Sequence, residues 1–166
     1  MTSEKRDFNK DAATWDDNPG RVMLTGAVFK SITGNLHLSK NMDVMDFGCG
    51  TGLLSVSMLP LVHSVTGTDN SEGMLEVLNS KIAAQNLTGM RTLYVNIDNG
   101  ESITGSYDVV TSCMTMHHIK DPAPLIKQFY NIIKHGGYLC IADLDPDNGK
   151  FHDNNDGVFH NGFNRD

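Results

Sequence analysis

Three glycines at alternate positions follow an acid at the end of an apolar run, in the segment Val44-Met45-Asp46-Phe47-Gly48-Cys49-Gly50-Thr51-Gly52. A turn of this composition lets a ligand lie against bare backbone, because any Cβ there would collide with it. The acid at the strand end, Asp46, offers oxygens that accept hydrogen bonds from a cationic or hydroxylated group. The helix-like pattern at about 52–59 follows, so the segment predicts a strand, a ligand-binding turn and a helix in succession.

A second acid, Asp69, ends the next apolar run at residues 64–68. A carboxylate at the tip of the second strand of such a unit typically holds ribose hydroxyls. The two acids and the glycine turn therefore predict a cofactor that contains a nucleoside. The nicotinamide pattern G-x-G-x-x-G is not matched, since position 53 is leucine. Asp46 would also repel a nearby pyrophosphate, whereas it suits a ligand with positive charge.

The string DFGCGTG and the later acid Asp69 resemble motif I and the second-strand acid of class I S-adenosylmethionine-dependent methyltransferases. Residues 107–122 are similar to the fourth-strand motif of that family, and residues 134–143 to its turn into the fifth strand. The likeness is strongest to its type 11/12 branch and covers roughly residues 8–163. It implies S-adenosylmethionine as cofactor, S-adenosylhomocysteine as product, and methyl transfer to an unidentified small-molecule acceptor.

The resemblance also implies a set of cofactor-binding residues. Asp46 would face the methionine amino group, Asp69 the two ribose hydroxyls and Asp98 the adenine amine, while Cys113 and Met114 would lie beside the methionine moiety. Alternatives stay open, because Asp69 could only cap a helix, Asp98 could belong to a turn and Met74 could be a core residue. The full set is Asp46, Gly48, Cys49, Gly50, Gly52, Asp69, Asn70, Met74, Asp98, Cys113 and Met114.

The histidines allow two further hypotheses. His117 or His118 could act as a general base, but such pairs also recur in this family as architecture, so no catalytic residue is assigned. His152 and His160, with Asp145, Asp153 and Asp156, could form a metal cluster. The spacing lacks the final glutamate of an EF-hand, which favours a polar tail and no metal. By resemblance, Phe8 and Trp15 in the N-terminal segment could close over the cofactor.

The order of patterns predicts an α/β fold, a single domain with a doubly wound, Rossmann-like, mostly parallel sheet in the order 3-2-1-4-5. A lid or helical segment (1–35), a cofactor-binding core (36–144) and a polar tail (145–166) divide the chain. Gly136-Gly137 is expected to end the last helix before a strand at 138–144. The final antiparallel hairpin of the family is missing, so the apolar run 138–142 should form an exposed edge, covered by the tail or by a second copy in a homodimer.

Composition restricts the partners, the location and the function classes that remain open. The 166 residues are 39% hydrophobic and 20% charged, with a net charge of −7, which argues against nucleic acid as a partner. The polar N-terminus, the lack of a long apolar window and three cysteines in no disulfide pattern favour a cytoplasmic protein without a membrane partner. Two alternatives stay open: a weakly catalytic or non-catalytic binding protein, and an NAD-dependent oxidoreductase.

Overall fold

The computed structural model describes residues 7–152 and 155–165 and contains one five-stranded sheet. The strand order is β3-β2-β1-β4-β5, and all neighbouring strands are parallel. Within the described residues no antiparallel strand follows the fifth. The predicted fold class and strand order are therefore confirmed. The strands are β1 (Asp43–Phe47), β2 (Ser64–Asp69), β3 (Met90–Tyr94), β4 (Tyr107–Cys113) and β5 (Ile133–Ala142).

Helices cover both faces of the sheet, and each long helix starts at a residue that caps it. Ser71 accepts a hydrogen bond from the Met74 N–H, and Asp121 accepts one from the Ala123 N–H just before Pro122. Within the described ranges, no helix has both the length and the apolar character that crossing a membrane requires. The α-helices are α1 (Phe8–Asp11), α2 (Pro19–Asn35), α3 (Leu53–Met58), α4 (Glu72–Gln85) and α5 (Pro122–Ile132).

Alternate side chains of the strands enter two separate cores, as the period of two in a strand requires. Val44 of β1 packs with the side chains of α2, α3 and α4 on one face of the sheet. Met45 packs on the other face with α5, where Phe47 and Phe129 meet edge to face at 5.3 Å. The central strands β1, β2 and β4 are therefore buried on both faces, whereas much of the edge strands β3 and β5 is exposed.

The boundary between α5 and β5 differs from the prediction. The helix ends at Ile132, and the strand begins at once with Ile133, which pairs with Tyr107. The glycine pair lies inside the strand, where the register shifts so that Tyr138 pairs with Val109. Gly136 has φ +79, a left-handed conformation typical of a bulge. The glycines therefore mark an irregularity in the ladder and not the end of the helix.

The polar tail packs against the loop after β4. The His117 carbonyl accepts hydrogen bonds from the Phe159 and His160 N–H groups, and the Leu144 carbonyl accepts one from Phe163. The aromatic ring of Phe163 joins the core under α5. The described part of the tail, residues 145–152 and 155–165, does not cover the edge of the sheet, where Tyr138, Leu139 and Ile141 remain exposed. That half of the prediction is wrong, and coverage by a second copy stays a prediction.

Candidate functional site

A cavity of about 890 Å³ opens at the carboxyl ends of β1, β2 and β4. This is where ligands bind in open parallel sheets, beside the point at which the strand order reverses. The structure brings all of the predicted cofactor-binding residues except Gly52 to the wall of this one cavity. Its volume is within the range of pockets that hold ligands of nucleoside size.

The glycine turn after β1 is fixed by the neighbouring strand. The N–H groups of Gly48 and Cys49 both donate to the Thr68 carbonyl, at 2.8 and 3.0 Å. Gly48, Gly50 and Gly52 have φ values of +69, +54 and +83, which L side chains rarely adopt. The left-handed backbone conformation alone therefore favours glycine at these three positions.

The surroundings of the three glycines differ. A Cβ on Gly48 would overlap the Thr115 side chain, and one on Gly52 would overlap Leu78. A Cβ on Gly50 would make only ordinary van der Waals contacts, with Met74 Sδ and Trp15 Nε1 both at 3.9 Å. Two of the glycines thus serve internal packing, and Gly50 leaves bare backbone facing the cavity.

Asp69 connects the turns that follow β1 and β2. Its Oδ2 accepts a hydrogen bond from the Gly50 N–H at 2.8 Å, and its Oδ1 accepts one from the Ser71 N–H at 2.9 Å. Burial raises the pKa of Asp69 above its usual value, although these backbone donors act in the opposite direction. The carboxylate lines the cavity, and each oxygen can accept a further bond from a ligand hydroxyl.

Asp46 lies below the turn and is only 1% exposed. Ser55 Oγ donates to its Oδ2 at 2.5 Å, and Thr111 Oγ1 donates to its Oδ1 at 3.0 Å. Burial raises the pKa of Asp46 from 3.8 to about 6, against the effect of these two donors. A cationic ligand in the cavity would favour the ionised form.

Three more of the predicted cofactor-binding residues line the cavity. Asp98 is exposed in a short 3₁₀ helix, Ile97–Asn99, and Asn70 is exposed after β2. Met74 is 2% exposed and belongs to the buried hydrophobic residues, and its contact with the cofactor stays a prediction. Burial raises the pKa of Cys113 to about 12, which keeps this thiol neutral at physiological pH.

The N-terminal segment forms one wall of the cavity. Phe8 contacts the rings of Trp15 and His118, with centroids 5.9 and 5.3 Å apart. The guanidinium of Arg21 stacks 3.7 Å above the Trp15 ring and donates to the Trp15 carbonyl. The aromatic side chains therefore extend from the glycine turn to the loop after β4, as a lid would.

A polar clamp that the sequence did not reveal holds this wall in place. Thr51 Oγ1 donates to Asp16 Oδ1 at 2.6 Å, and Lys81 Nζ pairs with Asp16 Oδ2 at 2.5 Å. Lys81 also donates to the Thr51 carbonyl at 2.7 Å. The three residues are far apart in the chain, and no local pattern of residues predicts that they meet.

The loop after β4 carries the two adjacent histidines. His117 is 1% exposed, and its Nδ1 lies 2.7 Å from Asp143 Oδ1. Asp143 also accepts hydrogen bonds from the Met116 and Leu144 N–H groups. His118 Nδ1 donates to the Gly157 carbonyl at 2.8 Å, and burial lowers the pKa of His118 to about 4.

The tail residues grouped with His152 in the sequence have other partners. His152 Nε2 lies 3.1 Å from His117 Nε2. His160 Nε2 instead donates to the Ile119 carbonyl, and Asp145 pairs with Arg165. Asp153 lies outside the described residues, and Asp156 lines the cavity. The structure thus replaces the cluster proposed within the tail by one between the tail and the loop after β4.

Acidic side chains dominate the charge of the cavity wall. The wall contains two basic residues, Lys10 and Arg21, and six aspartates. Such a wall favours a ligand with positive charge and opposes a polyphosphate. The aspartates are Asp7, Asp11, Asp46, Asp69, Asp98 and Asp156.

Comparisons with known proteins agree with this geometry. Residues 45–141 match the family described as a methyltransferase domain. The uncharacterized methyltransferase C1347.09 of Schizosaccharomyces pombe is 33% identical over 141 residues, which are 81% of this chain and 50% of that protein. The ubiquinone biosynthesis O-methyltransferase of Hydrogenovibrio crunogenus is 29% identical, over 86% of this chain and 61% of that enzyme. The chain thus spans between half and two thirds of the length of these curated relatives.

Solved structures show the same fold. A SAM-dependent methyltransferase from Aquifex aeolicus superposes with a TM-score of 0.74 at 20% identity, covering 93% of this chain and 81% of the other. The DhpI protein in its complex with SAH gives a TM-score of 0.70 at 16% identity, covering 83% of this chain and 66% of that one.

Proposed function

The chain belongs to the family of methyltransferase domains, and we propose that it binds S-adenosylmethionine and transfers the methyl group to a small-molecule acceptor. The observation that carries the proposal is the arrangement of Gly50 and Asp69 at the carboxyl ends of β1 and β2. Bare backbone faces the cavity beside a carboxylate that two turns hold in place.

The chemistry of the cavity supports this donor. The ribose hydroxyls would donate to Asp69, with the adenine towards Met74 and Asp98. The methionine moiety would lie towards Asp46 and Cys113, where the carboxylate suits the ammonium group and the nearby sulfonium. DhpI and coclaurine N-methyltransferase, which share the fold, have been crystallised with SAH. A nicotinamide dinucleotide would place its pyrophosphate against this acidic wall, so an NAD-dependent oxidoreductase is disfavoured.

The reaction would be an in-line displacement at the methyl carbon. A lone pair on the acceptor heteroatom forms the new bond to carbon while the bond from carbon to sulfur breaks, and its electron pair stays on sulfur. The positive charge of the sulfonium disappears as S-adenosylhomocysteine forms, and the proton of the acceptor passes to solvent. Such a step depends more on alignment than on acid–base assistance, so the lid over the cavity would contribute by excluding water and orienting the acceptor.

Small molecules are the acceptor class that the surface favours. The net charge of −7 and the acidic cavity give no broad site for a phosphate backbone. Several relatives are ubiquinone biosynthesis O-methyltransferases, so hydroxyl compounds should be tested first. Cys49, Cys113 and Cys140 are free thiols, which agrees with a reducing compartment, and we place the protein in the cytoplasm.

The second candidate function is cofactor binding with weak or no methyl transfer. It is favoured by the apolar edge strand β5, where Tyr138, Leu139 and Ile141 are exposed. An edge strand of this kind is normally covered by another element or another chain. A protein of this second type would hold the cofactor in the cavity but lack a site for the acceptor.

Two measurements on one preparation separate these candidates. Binding of S-adenosylhomocysteine is followed by equilibrium dialysis, and transfer of an isotopically labelled methyl group is followed by mass spectrometry across a panel of phenols, thiols and amines. Asp69→Ala is the control for both. Binding with transfer supports the methyltransferase, binding without transfer supports the second candidate, and absence of binding rejects both.

A further inference from the structure

Three imidazole rings meet at the end of the cavity, although they come from two distant parts of the chain. His117 and His118 lie on the loop after β4, and His152 comes from the tail. One ring nitrogen of each lies within 4.8 Å of the others, and within the described residues this is the group of potential metal ligands that converges. All three line the cavity that we assign to the cofactor.

Hydrogen bonds set which nitrogen of each loop histidine keeps its lone pair. His117 Nδ1 bonds to Asp143 Oδ1, and an imidazole nitrogen that donates to a carboxylate leaves the other nitrogen with its lone pair available. His118 donates from Nδ1 to the Gly157 carbonyl, which leaves its Nε2 as an acceptor as well. Both rings are therefore held in the tautomer that a metal ligand requires.

The carboxylate behind His117 is held as firmly as the ring. Asp143 accepts N–H donors from Met116 and Leu144, each at 2.8 Å. A histidine that binds a metal almost always donates its other N–H to a carboxylate or carbonyl, because this fixes the ring and raises its basicity. His117 with Asp143 and His118 with Gly157 both match this arrangement.

We propose that His117, His118 and His152 bind one divalent transition-metal ion, with Zn²⁺ as the best fit. Three neutral nitrogen ligands suit Zn²⁺, Co²⁺ or Ni²⁺ better than Mg²⁺ or Ca²⁺, which select oxygen. Nitrogens bound to one Zn²⁺ at about 2.0–2.1 Å lie roughly 3–4 Å apart, and the His117 and His152 nitrogens are already 3.1 Å apart. The proposal replaces the earlier expectation of a site without metal.

The position of the site gives the ion a role in the proposed function, on which this part of the inference rests. Cys113 and Met114, the residues assigned to the methionine moiety, line the same end of the cavity. Three protein ligands leave a coordination position open, and this position would take an oxygen or sulfur atom of the acceptor. The metal would thus select acceptors with a metal-binding hydroxyl or thiol group and hold that atom near the donor methyl.

The test begins with protein freed of metal by chelation. Co²⁺ is titrated with detection of visible absorption, and Zn²⁺ is titrated by calorimetry, with one equivalent of each expected to bind. His152→Gln removes a ligand from the tail and His117→Gln removes one from the loop. The matched controls are His160→Gln, in the same tail but outside the triad, and His63→Gln, at an exposed position. Circular dichroism of each metal-free variant shows whether it folds.

Asp143→Asn removes the carboxylate that supports His117 and should weaken Zn²⁺ binding by about 10- to 100-fold. Loss of a ligand itself, in His117→Gln or His152→Gln, should weaken Zn²⁺ binding further, by more than 100-fold. Both control variants should bind as the wild type does. If the wild type binds no ion, or if His152→Gln binds as well as the wild type, the three histidines only fasten the tail and the proposal is overturned. Should His117→Gln fail to fold, His152→Gln decides the question.

Failure of this inference can be told apart from failure of the proposed function. Binding of S-adenosylhomocysteine is measured on the same metal-free protein. Retained cofactor binding without any metal site rejects only the metal, whereas loss of cofactor binding in the wild type rejects the function on which the role of the ion depends.

Discussion

Replacing Gly50 with alanine is expected to weaken cofactor binding at least tenfold while changing the fold very little. Gly50 has φ +54, and a Cβ there would make only ordinary van der Waals contacts with Met74 Sδ and Trp15 Nε1, both at 3.9 Å. An alanine in this left-handed conformation lowers the free energy of unfolding by about 1–2 kcal/mol. The lower conformational entropy of the unfolded alanine variant offsets about 0.4–1 kcal/mol of this loss. The net loss in unfolding free energy is therefore about 1 kcal/mol. The added methyl group would occupy the space where the cofactor meets bare backbone, so affinity should fall at least tenfold, or about 1.4 kcal/mol.

Two other glycines provide matched controls for this substitution. Gly136 has φ +79 with nothing within 4 Å and lies in the bulge of β5, so Gly136→Ala should show the same loss of stability and no loss of binding. Gly48 has φ +69, and its Cβ would overlap Thr115. Overpacking adds about 1–3 kcal/mol, so Gly48→Ala should lower the unfolding free energy by about 2–4 kcal/mol.

The assay combines urea unfolding with calorimetric titration of S-adenosylhomocysteine for all three variants. The expected order of stability is wild type, then Gly50→Ala and Gly136→Ala together, then Gly48→Ala. The affinity for S-adenosylhomocysteine is expected to fall at least tenfold in Gly50→Ala and to stay unchanged in Gly136→Ala. Unchanged affinity in Gly50→Ala would refute the assignment of this backbone to the cofactor, and equal stability of the Gly48 and Gly50 variants would refute the packing argument.

Four further predictions concern charge, the lid and the sheet edge. Asp69→Ala should weaken S-adenosylhomocysteine binding by about 2–4 kcal/mol through loss of charge-assisted bonds, and a 2′-deoxyribose analogue should lose little further affinity in calorimetry; an unchanged dissociation constant would leave Asp69 only a role in the turns. Because burial raises the pKa of Asp46 from 3.8 to about 6, its contribution to stability is complete below pH 3.8 and is lost as pH rises through about 6. The difference in unfolding free energy between wild type and Asp46→Asn should therefore change by about 3 kcal/mol over this window, and a constant difference in urea unfolding would contradict the burial argument. Asp16→Asn removes the ion pair of the polar clamp and should raise the rate of cofactor release severalfold in stopped-flow measurements. The unfolding free energy should fall by less than about 1 kcal/mol, because the ion pair is partly exposed. An unaltered release rate would argue against a lid. If two copies cover the exposed edge, light scattering should show a dimer for the wild type and a monomer for Ile141→Lys, and a monomeric wild type would exclude this pairing.

The elements that the sequence predicted well are those with strong local signals. Ser71 and Asp121, which belong to the residue types that favour helix N-caps, cap their helices, and the apolar runs before Asp46 and Asp69 are strands. The start of β5 was mispredicted because a glycine pair after a helical pattern is typical of a helix end. Here the pairing of Ile133 with Tyr107 overrides that local preference, and the glycines absorb the resulting shift in register.

The parts of the site that the sequence did not predict depend on contacts between distant segments. Asp16 meets Lys81 only because the N-terminal segment packs over α4, and His152 meets His117 only because the tail folds back on the loop after β4. No periodicity or spacing encodes such contacts, since they follow from the docking of irregular segments. The glycine turn and the acids at the ends of β1 and β2 were predictable because parallel strands bring their carboxyl ends to one edge.

Binding of an adenosyl group in this cavity can be measured by calorimetric titration of the wild-type chain with S-adenosylhomocysteine and, separately, with NAD. We expect one equivalent of S-adenosylhomocysteine to bind, with much weaker or no binding of NAD. We also expect Gly50→Ala to bind S-adenosylhomocysteine at least tenfold more weakly than the wild type. Tighter binding of NAD than of S-adenosylhomocysteine, or no binding of S-adenosylhomocysteine by the folded wild type, would contradict the proposed cofactor.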